Sequence, residues 1–363
     1  VDMYGALPVG LEADAAAYSS QENVYKLLIA NLDTAATLLK PNLETTLNEE
    51  FDKVYAGQLG KWYKLANSLK LRLAIRMRYA DPAAAKKAGE EAVAAGVITS
   101  NEDNCAVTYV PNGQYKTSVE WGDSRACADL ECFLTGYSDP RLSAYFKPAK
   151  QFTTRTIIGC LAGAKIENKT IADKLYSEAK VDKNTRGVWL TAAEMAFCRA
   201  EGALAGWSGM GGTVEDLYNR AISLSFEQWG LGSASSYLSN TTNTQANYTD
   251  ADGGYGQYVA AVSSITIKWD DTATDEKKLE RLITQKWIAL FPDGQEAWSE
   301  IRRTGYPKLF PVAQSTSGYN LDVPHRIPFA NDELTKNPVN YRKAVQLIGG
   351  TDNYATKMWW QKK

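Results

Sequence analysis

The sequence predicts a mostly α-helical protein, a scaffold of consecutive helix pairs carrying long irregular segments and few short strands. Three observations lead there. Apolar residues recur at three- and four-residue spacing through the first hundred residues and again from Thr191 onward. Capping residues stand just ahead of those runs. Between them, 99–187 and 232–271 sustain no long helical or strand period and are rich in turn formers.

The first helix opens with Ser19 and Glu22 at capping-box spacing, followed by Val24, Leu27, Leu28, Leu32, Ala35 and Leu39 on one face, and Pro41 stops it. A second is expected from about Phe51 to Tyr79. Its apolar stripe is Trp62, Leu65, Ala66, Leu69, Leu73 and Met77, and Lys61, Lys64, Ser68, Arg72 and Arg76 read as a solvated face. Asp81 then caps a third helix with Pro82 at its first position, where the missing N–H costs nothing, and Gly96 ends it. The next stretch holds short β-prone pieces (106–110 and 153–158) and one expected helix, Asp123 to Leu134.

Helical order returns at Thr191, again three residues before a glutamate, and runs to Gly206. A glycine-rich turn leads to a second helix from Val214 to Trp229. Small Ala and Gly residues where two helices would meet give this pair the look of a tetratricopeptide hairpin, without a strict 34-residue repeat. Helices are expected again at Glu276–Phe291 and Gln295–Arg303, where Arg302 and Arg303 complement the carbonyls of the helix end. The remainder reads as loop, and Met358-Trp359-Trp360 is apolar enough to dock on the body. The resulting organisation is one domain over 1–363: scaffold at 1–98 and 188–310, irregular regions at 99–187 and 232–271, and a docking segment at 311–363.

Composition narrows the chemistry. Forty basic against 42 acidic side chains leave a net charge of −2, which offers no basic face for nucleic acid. No stretch approaches the roughly 18–20 uncharged apolar residues that span a bilayer, and 1–10 does not resemble a signal peptide. Five cysteines lack CxxC spacing and His325 is the only histidine, so neither a metal site nor a Ser/His/Asp arrangement is expected. Phosphate-loop, GxSxG and HExxH motifs are absent. Asp250-Ala251-Asp252-Gly253 has alternating oxygens but lacks the distal glutamate of a calcium loop and reads as a polar turn. No cofactor is expected.

Several segments together resemble the SusD/RagB family: KWYKLANSLKLRLAIR at 61–76, DPRLSAYF at 139–146, and AEMAFCRAEGALAGW leading to LYNRAISLSFEQWG within 192–230. ITQKWIALFPDGQEAWSEIRRTGYP at 283–307 and the run from RIPFANDELTKNPVNYRKAV to GGTDNYATKMWW at 326–360 complete the set. The resemblance implies tetratricopeptide-like helix pairs with an irregular ligand-binding region laid across them. It also implies a lipid-anchored protein of the outer membrane, at the cell surface, that binds oligosaccharides (in some members peptides) without catalysis and pairs with a SusC-like TonB-dependent transporter. A segment carrying the lipid-bearing cysteine and part of the binding surface is expected ahead of the point matching Val1. Rival readings are a peptide-binding protein of the same fold, a protein-binding repeat adaptor and a helical glycoside hydrolase.

Ten Trp and 20 Tyr supply flat amphipathic rings that suit the C–H faces of sugars. Trp62, Trp189, Trp287 and Trp298, within or beside helices, are expected in the core. The candidate ligand contacts are the loop aromatics Tyr115, Trp121, Tyr248, Tyr255 and Trp269, with Asn112, Gln114, Asn247 and Asp250 as hydroxyl partners. They rest on composition and loop placement alone.

Overall fold

The computed structural model describes residues 1–9, 17–152, 155–251, 254, 258–315, 318–319 and 323–361. A two-residue ladder, β1 (Leu7–Pro8) with β2 (Tyr18–Ser19), precedes the first helix, α1 (Gln21–Leu39). Because Ser19 is spent in that ladder, the cap falls one residue later than expected, and Ser20 Oγ accepts from the N–H of Asn23 at 3.2 Å.

The second helix, α2 (Leu59–Met77), begins eight residues later than its periodicity suggested. The cause is Asp52. Its carboxylate accepts from the backbone N–H groups of Val54, Tyr55 and Gly57 and from Trp62 Nε1. That local knot offers the backbone an alternative to the helix. Next, α3 (Pro82–Ala95) is capped by Asp81 as expected and ends at Gly96.

The middle region contains β3 (Cys105–Val107), a single π-helical turn at Tyr115–Glu120, α4 (Ala128–Gly136), α5 (Arg141–Tyr145), α6 (Lys169–Leu175) and β4 (Gly187–Leu190). The helix expected from Asp123 starts only at Ala128, because the chain before it pairs in extended form. Ala126 exchanges backbone bonds with Ser177 and Cys160, and Ala128 N–H donates to Cys160 O. Of the two β-prone pieces, the first supplies β3. The second forms no strand among its described residues.

The second helical block comprises α7 (Ala192–Leu204), α8 (Val214–Gln228), the short α9 (Ser235–Leu238), α10 (Asp275–Ala289) and α11 (Gly294–Thr304). Thr191 caps α7, while Thr213 and Asp216 form a reciprocal capping box on α8. α2 packs on α1, α3 and α7, and α7 on α8 and α10. Close approach at these contacts needs small residues. A Cβ on Gly89 of α3 would collide with the Trp207 ring.

Two helices, α12 (Asn331–Lys336) and α13 (Pro338–Leu347), occupy a stretch that reads as loop in the sequence. The end of the chain docks. Trp360 is fully buried and its Nε1 donates to Asp2 Oδ1 at 3.0 Å, while Trp359 N–H donates to Gln21. One hydrophobic cluster runs from Tyr25 through the helical blocks to Trp360.

Arg72 and Arg76 do not lie on a solvated face. Arg76 is 1 % exposed and pairs with Glu296 and Asp2; Arg72 pairs with Glu194 at 2.5 Å. Arg303 does more than complement its helix end. It is fully buried, bridging Glu201 at 2.5 Å and Glu300 at 2.6 Å, and Lys286 reaches Glu300 at 3.0 Å. These charges stitch α2, α7, α10 and α11 together where an isolated helix reading puts water, because α7 and α11 bring carboxylates against the Arg72 and Arg76 end of the stripe.

Candidate ligand-binding cleft

A concavity of about 660 Å³ lies where β4, the chain after β3, the end of α8 and the α10–α11 turn converge. Its volume falls within the range usual for small-molecule sites. Its leading feature is Trp189. In the antiparallel β3–β4 pair, Cys105 faces Leu190 and Ala106 faces Val188, so Trp189 is the extra residue of a bulge. Such a bulge re-aims a side chain, and Trp189 emerges 57 % exposed. The core placement expected for it is therefore wrong. Its ring position is tied to the scaffold through the backbone. Arg72 Nη2 donates to Trp189 O at 2.9 Å while Nε and Nη2 are held by Glu194.

Tyr109 is the second exposed ring on the cleft, and it lies over Gly187. A Cβ there would come within 2.6 Å of the Tyr109 ring, so the glycine lets the ring sit close to β4. Asn112 fixes the adjoining wall: Nδ2 donates to Thr185 O at 2.8 Å and Oδ1 accepts from Tyr115 N–H at 3.0 Å. Trp229 packs its ring on Tyr145 and leaves its buried Nε1 without a protein partner among the described residues.

Part of the polar lining is uncommitted among the described residues. The side-chain amides of Gln114, Gln228 and Gln295 line the cleft and make no hydrogen bond among the described residues. Lys180 and Arg186 add positive charge, each already donating to a backbone carbonyl, Ser143 O and Ala106 O. Asp293 accepts from Glu296 N–H at 3.0 Å as the cap of α11, and burial raises its carboxyl pKa despite Arg72. Exposed rings with free amides match a ligand that presents apolar C–H faces and many hydroxyls.

The sequence-derived candidates separate sharply. Asn112 and Gln114 line this cleft. Tyr115 and Trp121 stand at the two ends of the π-helical turn that follows. Trp121 is 51 % exposed with Lys116 Nζ 5.7 Å above its ring, whereas Tyr115 is half-buried. Tyr248 and Trp269 are corrected to core residues. Tyr248 is fully buried, donating to Asp250 Oδ1 at 2.7 Å, and Trp269 packs on Tyr218 with its Nε1 donating to Asp271. Neither offers a face to a ligand. Asn247 accepts from Ala261 N–H, and Asp250 also accepts from Tyr176, so both are engaged locally. Tyr255, Asp252 and Gly253 lie outside the described residues. Tyr109, Trp189, Gln228 and Gln295 also line the cleft, and no sequence signal marks them as ligand contacts.

Other chemistry finds little support among the described residues. All five thiols are free, and no three His, Cys, Asp or Glu side chains converge as metal ligands. No helix is long and apolar enough to cross a membrane. Asp129 is pushed up to about 6 by burial, but it faces inward and accepts from Phe310 N–H. His325 is half-buried against Gln361, with no nucleophile beside it.

A family model described as SusD-like, the SusD and RagB outer membrane lipoproteins, matches residues 1–361. Among solved structures, a SusD homologue from Bacteroides thetaiotaomicron is 37% identical, with TM-score 0.94 over 100% of this chain and 78% of its own. A chitin-binding SusD homologue from Flavobacterium johnsoniae is 39% identical, with TM-score 0.93 over 99% of this chain and 77% of its own. One from Bacteroides ovatus is 35% identical, with TM-score 0.92 over 100% of this chain and 79% of its own. No curated protein sequence matches.

Proposed function

This chain belongs to the SusD-like family of outer-membrane lipoproteins, and from that premise we propose that it captures oligosaccharides at the cell surface, without chemistry, for import through a SusC-like TonB-dependent transporter. The observation that carries the reading is the cleft itself: Trp189 and Tyr109 exposed beside three glutamine amides that have no partner among the described residues. A chitin-binding relative of the same fold supports a glycan over a peptide. Binding is reversible and of modest affinity, since a solvent-facing site must release its cargo. Trp121 is proposed as an outlying contact.

Calorimetric titration against plant, host and microbial glycans, with a peptide mixture alongside, tests this. Heat from one glycan class, lost in Trp189→Ala, is the expected result. Heat from peptides alone overturns the glycan reading in favour of peptide uptake. Hydrolysis of a bound glycan overturns the non-catalytic one.

A further inference from the structure

A second cavity of about 410 Å³ adjoins the cleft, and Arg186 lines both. The chain leaving β3 divides its residues between them, Thr108 on the second cavity and Tyr109 on the first. Arg186 is fixed in the dividing position, since its Nη2 donates to Ala106 O at 2.5 Å and reaches Val54 O at 3.5 Å. The far wall is the knot around Asp52, whose carboxylate is consumed by three backbone N–H groups and Trp62. That wall is therefore built rather than loose.

The lining of the second cavity differs from the first. Its one ring, Tyr55, is 4 % exposed and donates to Asp103 O, so it offers no stacking face. The side chains of Lys53, Gln58 and Thr108 are exposed there and make no hydrogen bond among the described residues. An aromatic cleft joined through an arginine to a polar cavity with no exposed ring is arranged for one ligand with a repeated, hydroxyl-rich chain. Stacking would hold one part of it and hydrogen bonds the next.

We infer that the cavity at Lys53, Gln58 and Thr108 is a second subsite of the same ligand path, so that the protein takes a linear oligosaccharide long enough to cross Arg186 rather than a mono- or disaccharide. This rests on the glycan reading above and adds chain length to it.

The test is titration of wild type, Gln58→Ala/Thr108→Ala and Trp189→Ala with chito-, cello-, xylo- and malto-oligosaccharides of increasing length. For the series that binds, wild-type affinity rises with length and then levels. The double variant, altered only at exposed side chains, binds the longest oligomers about tenfold more weakly, as two net hydrogen bonds imply, and the shortest unchanged. Trp189→Ala loses all lengths. Binding that is independent of length, or a double variant that matches wild type at every length, overturns the second subsite and leaves the glycan reading standing. Silence from every series overturns both.

Discussion

Arg72 is where scaffold and cleft meet, and its replacement separates the two roles. The side chain is 16 % exposed and its partner Glu194 only 2 %. Removing the cation in Arg72→Met leaves Glu194 buried without its closest counter-charge, which costs about 3–5 kcal/mol. At about 2 °C per kcal/mol, the low end for large domains, the melting temperature falls by roughly 6–10 °C. The same change removes the charged donor from Trp189 O, a bond worth about 1.5–3 kcal/mol, and frees the bulge. Glycan affinity then falls about tenfold or more. The double variant Arg72→Met/Glu194→Gln removes the stranded charge as well, so most of the melting temperature returns. Affinity does not, because the carbonyl of Trp189 still lacks its anchor. Thermal melting and calorimetric titration of the three proteins read out both quantities. If the double variant regains full affinity, Arg72 does not position Trp189. A melting loss of under about 2 °C in Arg72→Met contradicts the burial of the pair.

Two further outcomes follow from the same geometry. Trp269→Ala empties a core position against Tyr218 and destabilises by about 3–5 kcal/mol, while glycan affinity measured below the melting transition stays within twofold of wild type; a selective loss of affinity would return Trp269 to the binding surface. Stability should peak near pH 5 rather than rise toward 7. Burial raises Asp129 to about 6 and also raises Glu131, Glu194 and Asp293, so the fold holds protons that the unfolded chain releases. Stability therefore grows as pH falls through that range, with Asp129 alone supplying roughly 1 kcal/mol between pH 7 and 5. For Glu201, Glu296 and Glu300, burial is outweighed by opposing cations: Arg303 and Arg78, Arg76 and Arg72, and Arg303 and Lys286 respectively. These carboxyls are held low, so their stabilisation is complete above the unfolded value of about 4.5 and is lost as pH falls below it. Melting temperatures from pH 3 to 8 check both limbs, and a monotonic rise from pH 5 to 8 refutes the first.

Much of the fold is legible because helices announce themselves twice, by period and by cap. Asp81 and Thr191 mark real starts, and the apolar stripe of α2 is correct from Trp62 onward. What fails does so for tertiary reasons. A polar stripe on α2 looks solvated until α7 and α11 close over it, so Arg72 and Arg76 are misread. Tyr248 and Trp269 sit in polar sequence, yet a polar segment still buries its rings when their O–H and N–H find Asp250 and Asp271. Trp189 shows the reverse. Next to a helix cap it looks like core, and only the register with β3 reveals the bulge that turns it outward.

That register explains why the cleft belongs to the scaffold rather than to a loop. Trp189 is held by Arg72 of α2 through a bond whose acceptor sits one residue before Leu190, which is itself in the core cluster. The Arg72 guanidinium is fixed by Glu194, in the first turn of α7 three residues after its cap. Buried charge between helices is a weak source of net stability, because desolvation offsets most of the attraction. Its value here is directional. A guanidinium locked in one plane by a carboxylate has a fixed donor left over, and that donor sets the backbone from which the exposed ring projects. Apolar residues of equal volume would pack α2 against α7 as well, but they would leave Trp189 to the freedom of an unanchored bulge. The same logic places Arg186, pinned by two carbonyls, at the boundary between the cavities. In both cases the arginine's structural bonds orient the lining of a cavity.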